Sequence, residues 1–507
     1  VIQLNRCGMN NNTYMKNLAK LILLVALVIA LRPAGAQSVT QLTLAEVIKL
    51  AEEQSPNALM AKHRFRASYW QYRSFVADYL PSLSLTGNLP DYGRVFTRVT
   101  NFDTGEETFR ETNSMTSSLS MSLRQNIGLT GGNIFAQTEL TRLDKFSTDQ
   151  VEYVSVPVNI GISQPLNGYN SLRWQKKIQP LQYEQAKKRY LSDIEGVHSL
   201  AVTNFFQLLL AQINKEISEM NYFNTDTLYR IAQGRYNLGT IAEDELLQLE
   251  LSFLNAGTAR NEAAMTLRDR ELRLRTFLGF NETVRLELIL PEEVPELEVT
   301  LGRVLELAME NNPTIIGQQL SLLQAENSVA QAKANKGLNA NLNLSYGLRQ
   351  QADLFSNAYT NPSDQQRIRL GITLPLIDWG LSRGKYKMAQ SSEELTRVQV
   401  QQTLIEFEQS ILLDVERFNM QDDQVRIARK SDEVAARRYE VTKQRFLIGR
   451  IDVLELNDAD TRKDQNRRGY VQALQNYWNY YYDMRALTLY DLLNNKPLDT
   501  DFDKLVR

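Results

Sequence analysis

Residues 42–56, LTLAEVIKLAEEQSP, return as VTLGRVLELAMENNP at 299–313, with an offset of 257 between Pro56 and Pro313. Residues 160–173, IGISQPLNGYNSLR, return as LGITLPLIDWGLSR at 370–383, with an offset of 210 between Pro165 and Pro375. The offset stays 210 between RYNLGTIAEDELLQLE at 235–250 and RFLIGRIDVLELNDAD at 445–460, and between Arg275 and Arg485. A chain with such self-similarity must build one structural unit twice. The first copy is longer by the difference between 257 and 210, which is 47 residues, and all the excess lies between Pro56 and Pro165. The repeat is expected to divide the chain into a first copy over 37–280, a connector with Pro291 and Pro295 over 281–298, a second copy over 299–493 and a tail over 494–507.

Proline marks where the helices can run. None occurs from 181 to 290 or from 376 to 496, and these stretches are rich in Gln, Glu, Lys and Leu. Such composition favours helix. Gly239 and Gly449 sit inside these stretches, so each is expected to supply a left-handed C-cap from which a new helix turns back. The two tips of a pair of helical hairpins follow. The helices entering them are expected over 171–237 and 381–447, each about 100 Å long at 1.5 Å per residue. Shorter helices are expected over 43–79 and 300–335.

Between the helices the period changes from 3.6 to 2. Leu119, Met121 and Leu123 alternate with Ser118, Ser120 and Ser122, and Leu342, Leu344, Tyr346 and Leu348 alternate with Asn341, Asn343 and Ser345. Val154, Val156, Val158, Ile160 and Ile162 behave likewise, and in 367–374 the polar face carries Arg367 and Arg369. Two architectures suit this pattern. One is a soluble sandwich with a wet face. The other is a transmembrane β-barrel, apolar toward lipid and polar toward a lumen. Aromatic residues flanking the strands, among them Tyr92, Phe146, Tyr153, Phe355 and Trp379, favour the barrel, because such rings suit membrane interfaces. The fold class is therefore α+β. Strands are expected from near Pro81, through the alternation of Val154 to Ile162, and near 338–350 and 366–377, and an extra hairpin over 114–127 and 133–145 would account for the added length. One chain thus supplies four strands, or six with that hairpin. The smallest common membrane barrels need eight, and an open edge cannot remain in lipid, so several copies must share one barrel.

The N-terminal region reads as an export signal. Met15-Lys16-Asn17 precede the apolar run Leu18–Leu31 and the small residues Ala34-Gly35-Ala36. The run is too short for a membrane span and has the build of a secretory signal peptide. Residues 1–36 are assigned to it, with Gln37 as the first mature residue and residues 1–14 as sequence ahead of the true start. The sole cysteine, Cys7, would be lost with it. The net charge of −2 carries no basic footprint for nucleic acid.

In this combination the chain resembles the TolC family of outer-membrane efflux proteins. The tandem repeat, the elbows ISQPLNGYNSLR and ITLPLIDWGLSR, and the two glycine tips carry the resemblance. The resemblance implies a homotrimer whose strands form one barrel in the outer membrane of a Gram-negative bacterium. It implies a long α-helical barrel across the periplasm. It implies a periplasmic adaptor protein and an inner-membrane transporter as partners, and passive export as the function, either in a tripartite efflux pump or in type I protein secretion. Family members usually contribute four strands per chain, so a third hairpin is a departure. In the family, acidic residues near the second tip line the periplasmic mouth. Asp452 and Glu455 match them, and in a trimer they would form two rings of three carboxylates. Arg450 matches a gating position, whereas Phe446 lacks the hydroxyl of the family's aromatic tether. The resemblance also places Leu238, Gly239, Ile448 and Gly449 against adaptor tips.

The residues allow plainer roles as well. Asp-x-x-Glu is a helix capping box, and Asp452 aligns with Ala242, where a like turn forms without it, while Glu455 aligns with Glu245. Glycine at the tips is required for its positive φ alone. Pro165 and Pro375 end strands at the elbows, where Tyr169 and Trp379 align as packing residues. No phosphate-binding glycine loop, nucleophile constellation or metal-ligand spacing is present, and the only histidines, His63 and His198, lie on separate segments. The chain is expected to be no enzyme and to need no cofactor or metal. An envelope coiled-coil scaffold, or the adaptor itself, would share the helices but has no use for a lipid-facing band or for two repeated hairpins.

Overall fold

The computed structural model describes residues 39–100, 105, 107–280, 285–291 and 293–507. The expected signal peptide, with Cys7 and Gln37, lies outside them. In chain order the elements are β1 (Val39–Leu42), α1 (Leu44–Gln54), α2 (Pro56–Ala77), β2 (Ser82–Thr100), β3 (Glu107–Ile127), β4 (Gly132–Lys145), β5 (Gln150–Pro165), α3 (Ser171–Asn237), α4 (Glu243–Leu278) and β6 (Arg285–Leu288). The second half adds α5 (Leu301–Asn311), α6 (Pro313–Asn335), β7 (Asn339–Ala352), β8 (Ser363–Thr373), α7 (Leu381–Asn419), α8 (Gln421–Leu447), α9 (Val453–Thr488), β9 (Tyr490–Asp491), β10 (Lys496–Pro497) and α10 (Phe502–Val506). Contacts group the described residues into two compact units, each drawing on both repeats: those within 39–58, 197–296 and 421–479 form one, and those within 59–196, 297–420 and 480–507 form the other.

Two sequence expectations are corrected. The short helices do not run through 43–79 and 300–335. Each breaks before its proline, at Ser55 and at Asn312, where the backbone is extended. Proline lacks an N–H and disfavours helix in the residue before it, but its φ suits the first helical position, so a new helix begins at Pro56 and again at Pro313. Asn312 stabilises that start by accepting from the Thr314 N–H at 2.9 Å. The helix expected over 381–447 is likewise two, α7 and α8, meeting at Met420. There the Asn419 side chain is held by the backbone of Val299, accepting from its N–H at 3.1 Å and donating to its carbonyl at 2.9 Å.

Six of the strands form one antiparallel sheet in the order β2-β3-β4-β5-β7-β8. The extra hairpin is β3–β4, and all six strands belong to the sheet. Its turn at Gly131 has φ +77°. The turn is fastened to the start of α3, where the Asn170 side chain donates to the carbonyls of Gly128 and Leu129 and accepts from the Arg173 N–H. Register puts the apolar positions on one face. Leu83 pairs with Leu123 and Leu85 with Met121, Ile134 with Ile162 and Ala136 with Ile160, Ile162 with Leu344 and Ile160 with Tyr346, and Leu344 with Ile368 and Leu342 with Leu370. Because side chains alternate across a strand, the other face collects Ser84, Ser122, Gln137, Asn159, Asn343 and Arg369. The leucines and isoleucines of β2 and β8 are exposed. The β2–β3 hairpin also continues past the others: β3 meets β4 only from Ser114 onward, whereas β2 and β3 stay paired out to Thr100 and Glu107. That extension carries the cross-strand ion pairs Arg94–Glu111 and Arg98–Glu107.

In the other unit, the apolar stretch of α3 is packing core: Val202, Phe205, Phe206 and Leu208 are fully buried. The connector is partly ordered as strand, since β6 pairs in parallel with β1. Gln212 of α3 ties it down, donating to the Leu286 carbonyl at 2.7 Å and accepting from the Leu288 N–H at 3.2 Å.

Candidate functional site: the paired helical tips

Both tips close by one mechanism. At the first, the N–H of Thr240 reaches the carbonyl of Arg235 at 2.9 Å and that of Gly239 reaches Tyr236 at 2.8 Å. At the second, Arg450 reaches Arg445 at 3.0 Å and Gly449 reaches Phe446 at 2.9 Å. These are Schellman caps, which need a left-handed residue, and the glycines supply φ of +71° and +72°. A Cβ on either glycine would meet nothing within 4 Å. The glycines are thus required for conformation alone within this chain, and their outer surface is open. Leu238 and Ile448, just before them, are exposed.

The hairpins pack on each other through Ala232, Leu249, Phe446, Val453 and Leu456, with Tyr229, Ile241 and Ile451 around them. Phe446 is therefore a core residue. Beside this cluster lies a groove of about 460 Å³ whose polar lining includes Arg235, Glu245, Arg450 and Asp452.

Asp452 caps α9: its Oδ1 accepts from the Glu455 N–H at 2.9 Å. Only half of a capping box forms, because the Glu455 carboxylate faces Arg445 at 3.6 Å. Ala242, its counterpart, caps α4 with no side-chain bond. Asp452, Glu455 and Arg450 are all exposed at this tip.

Sequence reasoning missed a polar layer further along the same hairpins. Lys463 Nζ donates to Asp460 at 2.7 Å, lies 3.4 Å from Asp464 and sits 4.1 Å from the Tyr439 ring centre. The other oxygen of Asp464 accepts from Asn221 of α3 at 2.8 Å. Burial pushes the Asp460 carboxyl above the usual carboxylate range despite Lys463. Burial, with Asp460 nearby, also pushes the Tyr439 hydroxyl upward. The spacing Asp460, Lys463, Asp464 was visible as a helical face, but nothing in the sequence joined it to Asn221.

The elbow residues occupy the sheet-bearing unit. Pro165 ends β5, and Pro375 follows β8. Tyr169 donates to Asn327 Oδ1 of α6. Trp379 instead projects, 97% exposed, from a backbone with φ 51°. Among the described residues no three His, Cys, Asp or Glu side chains gather as metal ligands.

The sequence matches the family of outer membrane efflux proteins over residues 47–280 and 304–488, one block in each repeat. The chain belongs to that family. Solved structures agree with the fold. The Campylobacter jejuni CmeC outer membrane channel superimposes with a TM-score of 0.65 at 17% identity, over 91% of this chain and 88% of that one. The Vibrio cholerae outer membrane protein VceC does so with 0.59 at 13% identity, over 90% and 97%. No curated protein sequence matches. This efflux protein is an outer-membrane channel of the tripartite-pump type, with a large helical portion in the periplasm of a Gram-negative cell. Channels of the family work with adaptor proteins and inner-membrane transporters. The scaffold and adaptor readings that the helices alone allowed give way to it.

Proposed function

We propose that three copies of this efflux protein close a single barrel and form a passive duct. One observation carries the reading: a six-stranded sheet with one continuous apolar face and two open edges, β2 and β8. Strand directions alternate along the sheet, so β2 and β8 run oppositely. The β8 edge of one copy can then pair antiparallel with the β2 edge of the next, in head-to-tail contacts that close a ring. Three copies of six strands give eighteen, in the range of barrels that enclose an aqueous channel. Energy comes from the transporter, and the duct itself catalyses nothing.

The glycine tips are the surfaces for the adaptor. Leu238, Gly239, Ile448 and Gly449 offer two equivalent turns with exposed apolar side chains and backbone that no side chain covers. Asp452 lines the mouth of the duct as a ring of three carboxylates that favours cations. Glu455, paired with Arg445, contributes less, and Arg450 sets the charge beside the ring. Single-channel recording in a planar bilayer tests the reading. A cation-selective conductance from a trimer supports it. A folded protein that neither assembles as a trimer nor conducts, even with tips loosened by substitution, refutes it.

A further inference from the structure

The repeat makes it possible to read an interface between copies from contacts inside one chain. α3 and α7 begin at Ser171 and Leu381, an offset of 210, and α2 and α6 begin at Pro56 and Pro313, an offset of 257. The structure thus keeps the register of the sequence repeat. Within the chain, the first elbow and α3 rest on α6. Tyr169 donates to Asn327, and two turns along, Ile178 packs with Ile316 and Leu320. Carrying each residue to its counterpart, Tyr169 becomes Trp379, Asn327 becomes Trp70, Ile178 becomes Met388, Ile316 becomes Leu59 and Leu320 becomes the polar His63.

All five counterparts are exposed. Trp379 is 97% exposed, Met388 66%, Trp70 58% and Leu59 45%. Leu374, Leu376 and Ile377 around the second elbow are exposed as well. The chemistry is matched within each pair: a hydroxyl meets an amide at the first elbow, whereas indole would meet indole at the second. Trp379 also holds a left-handed backbone, which costs a non-glycine residue about 1 kcal/mol. No packing within the chain accounts for a tryptophan this exposed on a strained turn.

We infer that the second elbow and α7 of one copy dock on α2 of the next, with Trp379 against Trp70 and Met388 against Leu59. The occupant of this face is a second copy of the chain, so the inference rests on the trimer proposed above and adds which surfaces meet. The contact is head-to-tail: Trp379 meets Trp70, never another Trp379.

Thiol cross-linking tests it in a Cys7→Ser background. Trp70→Cys combined with Trp379→Cys, treated with a short bis-maleimide in outer membranes, should give denatured species at two and three times the chain mass. Leu59→Cys with Met388→Cys should give the same ladder and guards against a folding defect in the tryptophan variant. Tyr169→Cys with Asn327→Cys should cross-link within the chain, with no gain in mass. Trimers by light scattering with no ladder from either pair would overturn the docking while leaving the trimer standing, and would assign Trp379 to lipid. A ladder from Trp379→Cys alone would overturn the head-to-tail arrangement. Absence of any trimer would overturn the parent reading and this inference together.

Discussion

At the residue scale, Asp452 has a structural duty and a proposed electrostatic one, and two substitutions separate them. Asp452→Ala removes the acceptor for the Glu455 N–H, and losing such a cap costs about 1 kcal/mol. Hydrogen exchange in the first turn of α9 should quicken accordingly. Asp452→Asn keeps a capping oxygen and removes the charge. If the ring acts on ions, both variants lose cation preference in bilayer recordings, while only the alanine variant frays the helix. Unchanged selectivity in the asparagine variant would leave Asp452 a cap and nothing more. Gly449 is a cleaner case. A Cβ there meets no atom within 4 Å, so Gly449→Ala is penalised only for φ +72°, by about 1 kcal/mol. Thermal unfolding should show that modest loss, and the same at Gly239→Ala. Gly449→Trp should leave assembly intact but impair export by the reconstituted pump, because its side chain projects where a partner would arrive.

At the element scale, the hairpins are fixed in register by a buried ionic layer as well as by apolar packing. Lys463 stands between Asp460 and Asp464. Removing one member of a buried ion pair leaves uncompensated charge and costs about 3 kcal/mol, so Lys463→Met should loosen both hairpins, measured as lost exchange protection in α3, α8 and α9. Asp460 faces Lys463, Asp464 and Lys443, with Tyr439 on α8 and Asn221 on α3 completing the layer. Its folded pKa is raised, chiefly by burial. The folded state therefore binds a proton more readily than the unfolded chain, and the stability tied to this group grows as pH falls through the folded value and is lost as pH rises through it. Other carboxylates titrate in the opposite sense, so the readout is a difference: wild type should gain stability relative to Asp460→Asn on acidification. How legible these elements were depended on the range of the signal. The glycine tips, the long helix entering the first of them and the extra hairpin are local patterns, and the chain displays them. The breaks at Ser55 and Asn312 are also local, but a proline inside an otherwise helical stretch does not by itself say whether it closes one helix or opens the next. The outer part of the β2–β3 hairpin escaped notice because Arg94, Arg98, Glu107 and Glu111 interrupt the alternation, and their pairing is visible only in register. The ionic layer joins Asn221 to Asp464 across 243 positions, and no periodicity reports such a contact.

At the scale of the whole molecule, the open sheet makes folding and assembly one event. A single chain presents β2 and β8 as unpaired edges. In water such edges invite pairing with another chain. In hydrocarbon each unpaired backbone group costs several kcal/mol, so a lone six-stranded sheet has no stable place in a bilayer. The extra β3–β4 hairpin leaves this logic intact. It adds one outward and one inward strand, the alternation of directions survives, and the outermost strands still run oppositely. A chain with a single added strand could not close a ring of identical copies in antiparallel fashion. It follows that stability should depend on protomer concentration, as for any obligate oligomer. When the chain is refolded into lipid vesicles over a series of dilutions, strand signal in circular dichroism and trimer mass should rise together, and both should fall steeply as protein is diluted. The helices need no such closure and should form at every dilution. A strand signal that persists at dilutions where only monomer remains would show that one chain satisfies its own edges, and the shared barrel would have to be abandoned.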